Sequence, residues 1–213
     1  MNIAAQHPNI VSPSPNRSSN QRQSKSFGQV RIIAGKWRGR KLPVPAVQGL
    51  RPTGDRIRET LFNWLQPYIA GSHCLDLFAG TGAIGIEALS RYASSVTFVE
   101  PNGVAFYHIE SSLRLLEENA GTCRQTSAEL FLADNIQPFD IVFLDPPFEL
   151  EAQMPILQAL TMGHLSTSAL VYMEAPSRQA FTQHWPTGFE LYREKQFGDV
   201  TARLFSVGVR IKS

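Results

Sequence analysis

Two of the 213 residues are cysteine, and no run approaches the roughly 18 consecutive apolar residues that a membrane-spanning helix needs. Cys74 and Cys123 sit in apolar, strand-like surroundings that suit a reducing cytosol better than a disulfide scaffold. The five histidines are scattered and give no metal-ligand spacing, so no metal is expected. The opening segment MNIAAQHPNIVSPSPNRSSNQRQSKS lacks the apolar centre of a secretory signal. Its Ser, Asn, Gln and Pro content reads as a disordered tail over residues 1–28. Acid is missing where base is abundant. Residues 1–58 hold 11 of the 20 Lys and Arg and 1 of the 18 Asp and Glu, a net of +10, which leaves −8 for the remainder. A basic leading region on an acidic body points to a polyanionic partner.

What is present, after residue 70, is alternation. Apolar runs at 73–78, 95–100, 122–126, 139–145 and 168–174 read as strands. Helical patterns at about 82–92, 102–119, 127–133 and 150–163 fall between them. This order predicts an α/β domain over 71–213, with a mostly parallel twisted sheet and helices on both faces. FELYREKQFG and VTARLFSVGVRI, joined through Gly198-Asp199, predict an antiparallel hairpin at one edge.

Residues 29–70 read as a small basic unit. QVRIIAGKWRGRKLPV suggests two strands around a Gly-Lys turn, with Val30, Ile32 and Ala34 alternating on the first arm. The second arm carries Lys36, Arg38, Arg40 and Lys41 around Trp37, a set able to follow phosphates and stack a base. In LRPTGDRIRETLFNWLQPYI, Thr53 or Asp55 is placed to cap a helix whose apolar face is Ile57, Leu61, Trp64, Leu65 and Tyr68. Arg51, Arg56 and Arg58 crowd its start, where cations oppose the helix dipole, which suggests a nearby anion or an ion pair with Glu59.

CLDLFAGTGAIGIEAL is a strand, a glycine turn and a helix. Gly80, Gly82 and Gly85 satisfy G-x-G-x-x-G, and Glu100, followed by Pro101, ends the next strand, which by count alone suggests a dinucleotide. Asp76 argues otherwise: a carboxylate beside the turn repels pyrophosphate and attracts the ammonium of an amino acid. S-adenosyl-L-methionine has that ammonium, a sulfonium, a ribose and an adenine, and no phosphate. Asp76 is expected to bind the ammonium and the backbone of Phe78, Ala79, Gly80, Thr81 and Gly82 to approach the cofactor. Glu100 is expected to hold the ribose, with Ser127 and Ala128 near the adenine. Close packing of helix on strand is a sufficient reason for Gly85.

FDIVFLDPPFE ends a buried strand with an acid, two prolines and an aromatic ring. In an open α/β sheet that end is the ligand edge. An exocyclic amine on a base is a poor nucleophile, because its lone pair is delocalised. The Asp145 carboxylate and the Pro146 carbonyl can accept its N–H groups and aim the lone pair, with Pro147 stiffening the turn and Phe148 stacking on the base.

Together these stretches resemble the class I methyltransferases that act on exocyclic amines. RIIAGKWRGRKLPVP, LRPTGDRIRETLFNWL and YREKQFGDVTARLF resemble, more narrowly, the RsmD family of bacterial 16S rRNA guanine-N2 methyltransferases. The likeness spans residues 29 to 207. It implies a Rossmann-like fold and transfer of one methyl group to a guanine of the small ribosomal subunit (guanine(966)-N(2) type). It also implies 16S rRNA, in the assembled or assembling subunit, as partner. It carries over Asp76, Gly80, Gly82 and Glu100 as cofactor residues, Asp145 to Phe148 as the catalytic motif, and Lys36, Arg38, Arg40, Arg51, Arg56 and Arg58 as the RNA surface. Ser127 departs from the acid or amide many relatives place on the adenine. A cytoplasmic monomer is expected. The competing readings are a DNA amine methyltransferase, for which there is no room for a target-recognition domain, a protein-glutamine methyltransferase, which needs no basic arm, and a non-catalytic RNA-binding module. A nicotinamide-dependent dehydrogenase lacks any hydride-site constellation.

Overall fold

The computed structural model describes residues 28–44, 54–134, 137–178 and 185–208. The tail, Arg51 and Thr53 lie outside them. Described residues form a two-stranded antiparallel ribbon, β1 (Gln29–Arg31) and β2 (Lys41–Pro43), followed by α1 (Asp55–Leu65). The chain then alternates through β3 (His73–Asp76), α2 (Ala83–Ser90), β4 (Ser95–Val99), α3 (Gly103–Leu115), β5 (Gly121–Arg124) and α4 (Ala128–Asp134). It continues with β6 (Phe139–Leu144), α5 (Gln153–Leu160) and β7 (Leu165–Pro176), and ends in the hairpin β8 (Phe189–Phe197) and β9 (Val200–Val207).

The seven-stranded sheet has the order β5-β4-β3-β6-β7-β9-β8. The first five strands are parallel and the last two antiparallel, as the alternation predicts. Strand order reverses at β3, between β4 and β6, so the carboxyl ends of these strands border the crevice where open α/β sheets bind ligands. Side chains alternate between two cores. On one face Cys74, Phe98, Phe143, Tyr172 and Leu204 pack with Leu61, Phe62 and Leu65 of α1 and with Ile32 and Leu42 of the ribbon. On the other, Leu75, Val142, Leu144, Val171 and Phe205 pack with α4 and α5. The N-terminal ribbon and helix therefore share a core with the sheet.

Two local expectations change. Lys36 and Trp37 are not on a strand arm, since Gly35–Trp37 form a 3-10 turn and the second strand begins at Lys41. Gly35 has φ +80°, and a Cβ there would stand 1.8 Å from the Ser90 carbonyl oxygen, so the turn lies directly on the end of α2. The helix α1 has Gly54 at its N-cap with no side-chain cap, and Asp55 is its first residue.

Candidate active site

A buried charge on α2 fixes how the basic ribbon meets the sheet. All eight residues of α2 are buried, Glu87 among them. A buried carboxylate needs partners. Glu87 accepts from the Ile33 N–H at 2.7 Å, the Ala34 N–H at 3.0 Å and Arg91 Nε at 2.8 Å, and it lies 3.7 Å from Arg58 Nη1. Arg58 is fully buried, donates to the Arg31 carbonyl at 2.9 Å and pairs with Asp55 at 2.6 Å. This corrects the assignment of Arg58 to the RNA surface, and its partners are Asp55 and Glu87 rather than Glu59. Ser90 completes the seam, donating to the Ala34 carbonyl at 2.6 Å and accepting from the Trp37 N–H at 3.2 Å. Lys36 pairs with Glu118 and lies 4.4 Å from the Trp37 ring centroid, so its charge is partly committed within the chain. Arg38, Arg40, Lys41 and Arg56 are exposed.

The glycine loop joins β3 to α2. Gly80 and Gly82 adopt left-handed φ of +53° and +75°, which a side chain would resist. A Cβ on Gly85 would stand 2.2 Å from the Phe98 ring, so close packing accounts for that glycine, as expected. Asp76 is buried at the end of β3 and accepts from the Gly85 N–H at 3.1 Å. Burial pushes its carboxyl up to about 7, the Gly85 N–H opposes this, and the Asp145 and Glu100 carboxylates add to it. Glu100 follows β4 and accepts from the Gly80 N–H and the Asn102 N–H, both at 2.8 Å. Glu100, expected to hold the ribose, is thus tied to the glycine loop through the Gly80 N–H. Phe78 packs partly against the second core, Ala79 and Thr81 are buried, and Pro101 is exposed. The Ser127 hydroxyl accepts from the Leu130 N–H at 3.3 Å, and Ala128 packs in the second core. The Ser127 hydroxyl keeps its own O–H as a donor.

Asp145 directly follows β6 and is half-buried, Pro146 is buried, and Phe148 is half-buried in a 3-10 turn. The Pro147 carbonyl accepts from the Leu150 N–H at 3.0 Å. Asp76 is in register with Phe143, two residues before Asp145, which brings the glycine loop and the D-P-P-F turn together at neighbouring strand ends. The Asp145 charge raises the Asp76 and Glu174 carboxyls, a sign of how closely the three acids gather. Sequence reasoning missed Glu174 and Tyr172 on β7. The available cue was a lone acid inside the apolar run LVYMEA. Among the described residues no cluster of His, Cys, Asp and Glu suits a metal ion.

The family model described as conserved hypothetical protein 95 matches residues 30–206. The chain is 45% identical over 181 residues to "Ribosomal RNA small subunit methyltransferase D" of Escherichia coli K12, covering 84% of this chain and 90% of the relative. It is 46% identical over 183 residues to the protein of the same name from Haemophilus influenzae, covering 84% and 94%. A solved structure, "Putative methyltransferase yhhF from Escherichia coli", superposes with a TM-score of 0.79 at 44% identity, covering 84% of this chain and 98% of that one.

Proposed function

The chain belongs to the RsmD family of small-subunit ribosomal RNA methyltransferases, and we propose that it transfers a methyl group from S-adenosyl-L-methionine to the exocyclic N2 amine of a guanine in 16S rRNA. The observation that carries the reading is the neighbouring placement of Asp76 and Asp145 at the carboxyl ends of β3 and β6, with the left-handed glycine loop beside them. Acids grouped at one edge, Asp76 buried and Asp145 half-buried, fit a cationic ligand. Asp76 would take the ammonium, which would also draw its carboxyl back down from about 7. Glu100, already fixed by the Gly80 and Asn102 N–H groups, would hold the ribose hydroxyls. When bound, the cofactor supplies a methyl group made electrophilic by its sulfonium.

The chain's own work is positioning. Asp145 and the Pro146 carbonyl accept the two N–H groups of the amine, so that the nitrogen lone pair faces the methyl carbon. As it took up the methyl group that the bound cofactor would supply, the nitrogen would acquire the positive charge. That nitrogen then releases one proton, for which ionised Asp145 is the adjacent acceptor, and the proton reaches solvent with the product. Phe148 would stack on the base, and Arg38, Arg40, Lys41 and Arg56 would meet phosphates.

The test is transfer of labelled methyl to unmodified small ribosomal subunits, naked 16S rRNA, duplex DNA and a release-factor protein, with the labelled product digested and identified. N2-methylguanine from the small-subunit lanes is expected. Label confined to DNA or protein would overturn the substrate, and no label in any lane would overturn the reaction.

A further inference from the structure

Phe143 and Tyr172 are in register across β6 and β7, and both face the core that holds α1. One step of two residues further along each strand come Asp145 and Glu174, on that same face. Asp76, in register with Phe143, extends the row onto β3. Asp76 ends β3, Asp145 directly follows β6, and Glu174 stands two residues before the end of β7, so three neighbouring strands each carry an acid near this edge, with Asp145 in the middle. Glu174 is the deeper neighbour, 4% exposed, and its Oε1 accepts from the Tyr172 hydroxyl at 2.8 Å.

Burial, Asp145 and Tyr172 are what act on Glu174; Lys195 of β8 shares its face beyond Ala202 and lies 5.2 Å from the Phe197 ring centroid. The cross-strand partner of Glu174 on β9 is Ala202. Arg203, the next residue, alternates to the opposite face, where it pairs with Glu194 at 2.6 Å and lies over Trp185. On the side of α1, the buried Arg58 is engaged by Asp55 and Glu87. From β6 it meets the negative charge of Asp145.

We propose that Glu174 is a positioning residue for Asp145: near neutrality it holds the one proton shared by this pair, and so leaves the negative charge on the acid that receives the target amine. The proposal rests on the methyl-transfer reading given above. Two adjacent carboxylates in a site of low dielectric do not both ionise readily, and the proton goes to the less solvated one. Burial, then the Asp145 charge, pushes the Glu174 carboxyl up to about 8, with the Tyr172 hydroxyl acting against both. With Oε1 engaged by Tyr172, the proton belongs on Oε2.

The sign follows from the raised value. Glu174 is protonated below about 8 and ionises as the pH rises through it. A second charge then stands against Asp145, whose carboxylate must rotate away from it, and that movement ends its role as acceptor. Single-turnover methyl transfer is therefore measured from pH 6.5 to 9.5 for wild type, Glu174→Gln and Tyr172→Phe. In wild type the rate at pH 9.5 should be roughly a twenty-fifth of that at pH 7.5. Glu174→Gln has no proton to lose, and its ratio should lie several-fold closer to one. Ionisation of the guanine itself is common to both proteins and cancels in the comparison. Tyr172→Phe removes a donor that favours the charged form, so its alkaline fall should move to higher pH. The same alkaline fall in wild type and Glu174→Gln would overturn the proposal.

An infrared titration of the protonated-carboxyl stretch gives a readout that needs no activity. A band removed by Glu174→Gln and titrating near 8 is expected, and identical bands in the two proteins would overturn the assignment. Absence of methyl transfer by wild type on any RNA would sink the functional reading alone, while the infrared titration would still locate the proton.

Discussion

Arg58→Ala separates a buried structural arginine from one that meets RNA. The side chain is fully buried, and it joins Asp55, Glu87 and the Arg31 carbonyl. Breaking a buried ion pair by removing one partner typically costs about 3–5 kcal/mol, because the other charge stays buried. Glu87 keeps the Ile33 and Ala34 N–H groups and Arg91, which places the loss near the lower end, at about 3 kcal/mol. For a chain of this size each kcal/mol moves Tm by about 2–4 °C, so a fall of roughly 6–12 °C is expected by calorimetry. The double variant Arg58→Met with Glu87→Gln removes both charges and should cost less than the sum of the single changes. RNA affinity measured below the unfolding range should keep its wild-type salt dependence. A Tm within about 2 °C of wild type, together with a shallower salt slope, would refute the reasoning and return Arg58 to the RNA surface.

Asp145→Ala should lower single-turnover methyl transfer by about two to three orders of magnitude while cofactor affinity, read by calorimetry, stays near wild type. A near-wild-type rate would remove Asp145 from catalysis. Asp76, with its carboxyl near 7, is protonated at pH 6 and ionised at pH 8. Cofactor affinity should therefore rise through that window in wild type and stay level in Asp76→Asn, and parallel pH curves would refute the ammonium contact. Changing Arg38, Arg40 and Arg56 together to Ala should weaken RNA binding and reduce the salt slope by up to about three, one for each phosphate that an arginine neutralises, whereas an unchanged slope would move the interface elsewhere. Gly35→Ala, which would place a Cβ 1.8 Å from the Ser90 carbonyl oxygen, should loosen the ribbon from α2 and weaken RNA binding more than cofactor binding. Equal losses for both ligands would show that the ribbon is not the RNA side.

The parallel order, the C-terminal hairpin, the glycine loop and the D-P-P-F turn were legible because each depends on local pattern. Apolar runs of strand length, glycines at fixed spacing and paired prolines carry their backbone consequences with them. Arg58 was misplaced because its neighbours in sequence, Asp55, Arg56 and Glu59, look like a solvated helix start. The counter-signal was periodicity: positions 58, 61, 62 and 65 share one helical face, and that face is buried. Glu87 within AIGIEAL and Glu174 within LVYMEA carry the same mark, a single charge inside an apolar run. Such a charge must be paired or neutral. Which of the two applies is a property of the tertiary arrangement: Glu87 meets Arg58, Arg91 and two backbone N–H groups, and Glu174 meets an acid and a phenol.

These two outcomes divide the labour of the molecule. The paired acid sits on α2, one end of which begins at Gly82 of the glycine loop and the other of which meets the ribbon through Ser90. A single buried helix therefore fixes the basic arm relative to the cofactor loop, and Phe62 against Phe143, with ring centroids 6.1 Å apart, fixes α1 relative to the strand that delivers Asp145. An RNA bound as proposed, on the exposed arginines, would then be held at a set distance from the carboxylate row. The acids of that row lie where the proposed cationic ligand would enter. Pairing Glu87 from within the chain, while Asp76 is left for the ammonium of the proposed cofactor, places rigidity at the seam and keeps the acids of the site for the ligand.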